Sequence, residues 1–273
     1  MLKVKENIYI KTASELQSIR ESGKILAKLH GEISKMIVAG VKTIDLDIFA
    51  EKFIQDHKAT PSFKGYKGSQ GITPFPYTLC ISVNSIVVHG FPNHYALKEG
   101  DIISIDCGVF YNGFHADSAY TYRVGEIKPE IQKLLDETYT SLIKGIAKCK
   151  AGNRVGDISS EIQKHAEHFG FGIVRELVGH GVGRKLHEAP EVPNFGRSGK
   201  GPKLMNGMVI AIEPMVTMGK RTVKQEKDGW TIKTVDGLPS AHFEHTVGIV
   251  DGKPEALTTF DYIVASQKVN YNG

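Results

Sequence analysis

Apolar residues recur every three or four positions in four stretches, Leu16 to Val38, Leu46 to His57, Ile131 to Cys149 and Ile158 to Phe169. That spacing predicts four amphipathic helices, each with one face turned to a core. Elsewhere the pattern shifts to short β-branched runs that predict strands. Two of these runs, Gly100-Asp101-Ile102-Ile103-Ser104-Ile105-Asp106 and Gly207-Met208-Val209-Ile210-Ala211-Ile212-Glu213, each end on an acid six residues after a glycine. The order helix, helix, strands occurs twice, which predicts an α+β fold rather than alternating βαβ units.

The halves share further detail. Ala39-Gly40-Val41-Lys42-Thr43-Ile44-Asp45-Leu46 recurs as Ala151-Gly152-Asn153-Arg154-Val155-Gly156-Asp157-Ile158, and His89-Gly90-Phe91-Pro92 and His187-Glu188-Ala189-Pro190 share H-x-x-P. One such match is ordinary helix-stop punctuation, whereas three in the same order indicate a duplicated unit. The chain reads as one domain, 1–273, of two related halves, roughly 12–125 and 126–260, with no low-complexity linker between them.

Composition narrows the class. With 273 residues, 41% hydrophobic and 23% charged, the chain can bury a core and is not disordered. No apolar run approaches the roughly 18–20 residues that span a bilayer, and the opening Met1-Leu2-Lys3-Val4-Lys5-Glu6 lacks the apolar centre of a signal peptide. The three cysteines, Cys80, Cys107 and Cys149, form no C-x-x-C pair. A disulfide framework and a cysteine-bound zinc are both disfavoured, and a cytoplasmic location is expected. A net charge of +4 is too weak to imply a nucleic-acid partner.

The candidate chemistry lies on strands. Asp106 and Asp117 flank Asn112-Gly113, a two-residue hairpin signal. With that pair as the loop, Asp106 opposes position 119, and Asp117 lies two residues along on the same face. Diagonal neighbours of this kind are about 7–8 Å apart, close enough to share metal ions. Ile103, Ile105 and Val109 solvate the acids poorly, and without cations at least one pKa would rise. Glu213, followed by Pro214, occupies the place of Asp106 in the second half. Glu244 alternates with Phe243 and His245, so it faces away from them. Four strand-borne carboxylates, two from each half, can therefore converge.

His180 lies in Gly179-His180-Gly181-Val182-Gly183, read as a glycine-dense turn that brings backbone close to a ligand. The segment does not match G-x-G-x-x-G, and Lys200-Gly201-Pro202-Lys203 does not match a phosphate-binding loop. G-x-S-x-G and H-E-x-x-H are absent. His57, His165 and His168 fall on helical stretches and read as surface residues.

In this order, Asp106, Asp117, Gly179-His180-Gly181-Val182-Gly183, Glu213-Pro214 and Glu244-His245-Thr246 resemble the methionine aminopeptidases of the pita-bread fold. The likeness covers nearly the whole chain. Xaa-Pro peptidases share the same five motifs. The segment from Cys80 to Pro92 resembles the methionine enzymes' substrate-side strand and histidine, and the short interval from His187 to Glu213 matches type I. The resemblance implies two pseudo-symmetric halves with a curved, mainly antiparallel sheet covered by helices.

It also implies two divalent ions, with Asp106 on one, His180 and Glu213 on the other, and Asp117 and Glu244 bridging. One imidazole with four carboxylates suits Mn(II), Fe(II) or Co(II) at least as well as Zn(II). Such ions polarise a peptide carbonyl and lower the pKa of a bridging water. Glu213 would also carry the proton to the leaving amine. His89 and His187 would act on the substrate amide and the oxyanion. Phe75, Cys80 and Trp230 would line the methionine pocket, although the 67–73 loop and Leu186 depart from the family pattern there. The implied activity is removal of initiator methionine from nascent chains with a small second residue. The implied actor is a cytoplasmic monomer with transient ribosome contact and no membrane partner. The alternatives are an Xaa-Pro peptidase and a non-catalytic binding protein of the same fold.

Overall fold

The computed structural model describes residues 8–68 and 73–270. The opening Met1–Glu6 segment and positions 69–72 of the 67–73 loop fall outside them. Among the described residues the α-helices are α1 (Ala13–Met36), α2 (Thr43–Asp56), α3 (Pro129–Lys148) and α4 (Val155–His168), which correspond to the four periodic stretches. α1 opens on a capping box. Thr12 Oγ1 accepts the Glu15 N–H at 3.3 Å, and Glu15 Oε2 accepts the Thr12 N–H at 2.9 Å. Its inner face buries Leu16, Ile19, Leu26, Leu29 and Ile33. Pro129 opens α3, where its missing N–H costs nothing. No helix of the described residues is long and apolar enough to cross a membrane.

The strand ladders are antiparallel. The longest pairs Ile102–Tyr111 with Phe114–Arg123 around Asn112 and Gly113, whose φ values of 48° and 82° are those of a tight hairpin turn. Asp106 opposes Ala119 and Gly108 opposes Asp117, the register that the loop predicts. Asp106 stands within its strand rather than at the end of it, whereas Glu213 directly follows the strand Val209–Ile212. That strand pairs with His245–Val250 so that His245 opposes Ile212, which leaves Glu213 and Glu244 side by side. Three hydrogen bonds tie this ladder to the hairpin. The Asp117 N–H donates to Thr246 Oγ1 at 2.9 Å, Thr246 Oγ1 donates to the Asp117 carbonyl at 2.8 Å, and the Glu244 N–H donates to the Ala119 carbonyl at 2.9 Å.

The repeated segments take the same local form. Gly40 and Gly152 have left-handed φ of 92° and 97°, a conformation in which a side chain would be strained. Their N–H groups donate to the Leu97 and Leu204 carbonyls, and the Leu97 and Leu204 N–H groups donate back to Val41 and Asn153. Two other segments differ from the sequence reading. The His180 segment is a strand, Val178–Gly181, not a turn. A Cβ on Gly179 would run into the Ala211 carbonyl oxygen, and one on Gly181 into that of Ala189. The glycines serve close strand packing rather than a bend. His165 is buried rather than on the surface, with Nε2 at 2.8 Å from Glu137 Oε2 and Nδ1 at 3.0 Å from Lys144 Nζ.

Candidate metal centre

The two ladders and the loops above them enclose a cavity of about 530 Å³. Every residue singled out for chemistry or pocket lining reaches it: Asp106, Asp117, His180, Glu213, Glu244, His89, His187, Phe75, Cys80 and Trp230. The hairpin supplies Asp106 and Asp117. The five-stranded ladder supplies His180, with Glu213 and Glu244 at the ends of neighbouring strands.

Ligand atoms of Asp117, His180 and Glu244 lie within 4.8 Å of one another. His180 Nε2 is 3.6 Å from Glu213 Oε1 and 3.9 Å from Asp117 Oδ2. These spacings are too long for hydrogen bonds and are the spacings of donors arranged around a common ion. The His180 Nδ1–H donates to the Gly181 carbonyl at 2.9 Å. That bond sets the tautomer and leaves the Nε2 lone pair facing the acids. Asn194 Nδ2 donates to the Glu213 carbonyl at 2.9 Å, anchoring the backbone where the strand ends.

The acids are poorly satisfied by the protein. Asp117 and Glu244 are 3% and 2% exposed, and Asp106 Oδ1, Asp117 Oδ1 and Glu244 Oε1 have no hydrogen-bond partner among the described residues. Burial pushes Asp106 up to about 7, with the neighbouring Glu213 adding to the rise and His242 opposing it. Burial, reinforced by the neighbouring carboxylates, raises Asp117 and Glu244 well above the usual carboxylate range. Glu213 is likewise raised by burial, to about 7. A cluster of desolvated carboxylates with unpartnered oxygens calls for cations. The oxygen-rich donor set with one oriented imidazole fits divalent metal ions.

An aromatic pocket adjoins the acids. Phe63, Phe75, Cys80 and Leu186 form a small buried cluster, with Tyr66, Phe91 and Trp230 packed against it. Phe75 meets Trp230 edge to face with ring centres 5.3 Å apart, and Trp230 Nε1 donates to the Thr73 carbonyl at 2.8 Å. Cys80 opposes Asp106 across the ladder, which joins the pocket floor to the centre. His89 follows the strand Ile86–Val88 at a left-handed φ of 56°. Such strain persists where the surroundings over-determine it, commonly at functional sites. Burial lowers His89 to about 4. His187 stands at the mouth, its ring 4.1 Å from that of His180 and 4.9 Å from that of Tyr66. Although its side chain is exposed at that mouth, desolvation by the surrounding chain, reinforced by the nearby histidines, lowers it too.

Sequence reading missed Phe63, Tyr66, Met215 and His242, all of which line the cavity. His242 carried a usable signal, because it lies two residues before Glu244 and alternation puts the two on one face. The aromatic residues carried none, since their loop position reveals nothing about which face they turn inward.

Comparison with known proteins gives the family. The sequence profile of metallopeptidase family M24 matches residues 17–251. A methionine aminopeptidase of Clostridium perfringens is 54% identical over 92% of this chain and 98% of its own length. The crystal structure of a methionine aminopeptidase from Thermotoga maritima superposes with a TM-score of 0.88 at 43% identity, covering 92% of this chain and 99% of that one. A prolidase from Pyrococcus furiosus shares the fold at a TM-score of 0.72 and 21% identity, covering 92% of this chain and 65% of that one.

Proposed function

This chain belongs to metallopeptidase family M24, among its methionine aminopeptidases of pita-bread fold, and from that premise we propose that its cavity releases the initiator methionine from nascent chains whose second residue is small. It is a hydrolase of N-terminal peptides that uses divalent metal ions. Two ions would be held in the cavity by Asp106, Asp117, His180, Glu213 and Glu244. Bound there, Mn(II), Fe(II), Co(II) or Zn(II) would polarise the scissile carbonyl and acidify water.

The remaining steps fall to the chain's own groups. Glu213 takes the proton of the attacking water and delivers it to the leaving amine. His89 and His187, kept neutral by their surroundings, donate hydrogen bonds to the substrate amide and the developing oxyanion. Phe63, Phe75, Cys80, Leu186 and Trp230 enclose the methionine side chain, whose thioether packs well against aromatic edges. We read the chain as one catalytic domain of two related halves. It would work as a cytoplasmic monomer on chains emerging from the ribosome, and the net charge of +4 favours transient docking on an acidic surface.

The observation that carries this reading is the set of buried carboxylate oxygens without partners among the described residues, beside an aromatic pocket. The test is hydrolysis of Met-Ala-Ser and Ala-Pro-Ser by metal-stripped protein, before and after addition of Mn(II) or Co(II). Release of methionine alone, and only with metal, is the expected result. Cleavage of the proline peptide alone would make the chain an Xaa-Pro peptidase. Cleavage of neither by folded, metal-loaded protein would make it a binding protein.

A further inference from the structure

Resting on the reading of Glu213 as the proton carrier, we propose that His242 is a positioning residue that holds the Glu213 carboxylate for proton transfer. His242 is 1% exposed and lines the cavity. Its Nε2 is 3.7 Å from Glu213 Oε2, while Glu213 Oε1 faces His180 Nε2 at 3.6 Å. One carboxylate is thus divided between two imidazoles. Neither ring nitrogen of His242 has a hydrogen-bond partner among the described residues, and a buried imidazole left this way is costly unless something engages it.

The two imidazoles are not prepared alike. His180 has the arrangement of a metal ligand, with Nδ1–H bound to a backbone carbonyl so that Nε2 points at the acids. His242 has no such second bond. Its backbone, in contrast, is held at both ends. The N–H donates to Thr121 Oγ1 at 2.9 Å, and the carbonyl accepts from Thr121 Oγ1 at 2.8 Å. His242 also opposes Met215 in register, beside the strand end that carries Glu213. A ring on a fixed backbone, its nitrogens without partners among the described residues and its Nε2 nearest the oxygen of Glu213 that does not face His180, suits a hydrogen bond to that oxygen. Closing the gap takes a shift of about 1 Å or less, and catalytic contacts that are long without substrate tighten when it binds. With the His242 Nε2–H donating to Oε2, the carboxylate plane is fixed while water gives up its proton and the amine departs.

The test compares His242→Leu, His242→Asn and His242→Gln with wild type on Met-Ala-Ser, alongside Mn(II) titration calorimetry and thermal unfolding of each protein. Leucine fills the space without a donor, and asparagine carries an amide too short to reach. Glutamine can reach Oε2. Both shortened or apolar variants are expected to lose kcat by about 10²-fold, with KM and Mn(II) affinity within about twofold of wild type, and His242→Gln to recover at least about tenfold of that loss. Weaker Mn(II) binding in His242→Leu would make His242 a ligand and overturn the proposal. A rise in KM at constant kcat would make it a substrate-binding group, and equal loss in all three variants would reduce it to packing. If the leucine variant fails to fold, the asparagine variant carries the same test. Wild type that releases no methionine would remove the functional reading itself, whereas active wild type with unimpaired variants removes only the role of His242.

Discussion

Asp47 and Asp117 are buried almost equally, at 5% and 3% exposure, yet the protein treats them in opposite ways. Asp47, on α2, accepts the N–H groups of Thr78 and Leu79 at 3.0 and 2.8 Å and so pins the approach to the strand Cys80–Val83. Asp117 Oδ1 finds no hydrogen-bond partner among the described residues, and Asp106, Glu213 and His180 stand around the carboxylate. The same contrast holds for two fully buried histidines. His30 bonds Tyr122 Oη at 2.8 Å and the Ser118 carbonyl at 3.2 Å, whereas neither ring nitrogen of His242 has a hydrogen-bond partner among the described residues. Burial alone therefore does not mark function. Asp47 and His30, packed against the helices, have partners in the protein, whereas Asp117 and His242 in the cavity are left for something that is not protein.

The strongest way to break this contrast is to neutralise the unsatisfied acids. Asp106→Asn and Asp117→Asn are each expected to lower kcat/KM for Met-Ala-Ser by on the order of 10³-fold, the rate equivalent of several kcal/mol of lost metal assistance. The metal-free variants should melt at or above the wild-type temperature, because a buried repulsion is gone. A lower melting temperature in the absence of metal would show the acids to be structural.

Acid unfolding sharpens the other side. Burial lowers His30 from 6.5 to about 4. Below pH 6.5 the unfolded chain takes up the proton before the folded one, so stability falls with pH until about 4, by on the order of 3 kcal/mol from this group. His30→Gln should flatten that part of the curve in urea titrations between pH 7 and 4. An unchanged slope would mean that His30 is not held neutral.

Asp47→Ala should cost about 1–3 kcal/mol by leaving two buried N–H groups without an acceptor. Its kcat should be unchanged well below the melting temperature. If activity fell as far as in Asp117→Asn while stability held, satisfied and unsatisfied acids would not differ in role.

Much of the site was legible because its signals are local. Asn112 and Gly113 accept the left-handed turn that few other residue pairs tolerate, and the turn sets the register that brings Asp106 and Asp117 to one face. Glu213 and Glu244 followed from strand pattern, and the matching forms at Gly40 and Gly152 follow from a repeated motif. His180 was misplaced in a turn because the reason for its glycines is the Ala211 and Ala189 carbonyls, which strand pairing brings against them. His165 read as exposed because its partners, Glu137 and Lys144, sit on a different helix.

Periodicity and turn chemistry act within a few residues, so the sequence by itself determined the elements, the hairpin register and the face on which each acid stands. Hydrogen-bond satisfaction and desolvation act between segments a hundred or more residues apart, as where Thr246 meets Asp117 and Thr121 meets His242. Only the tertiary structure could decide which carboxylates and imidazoles keep a partner, and which are left facing the cavity.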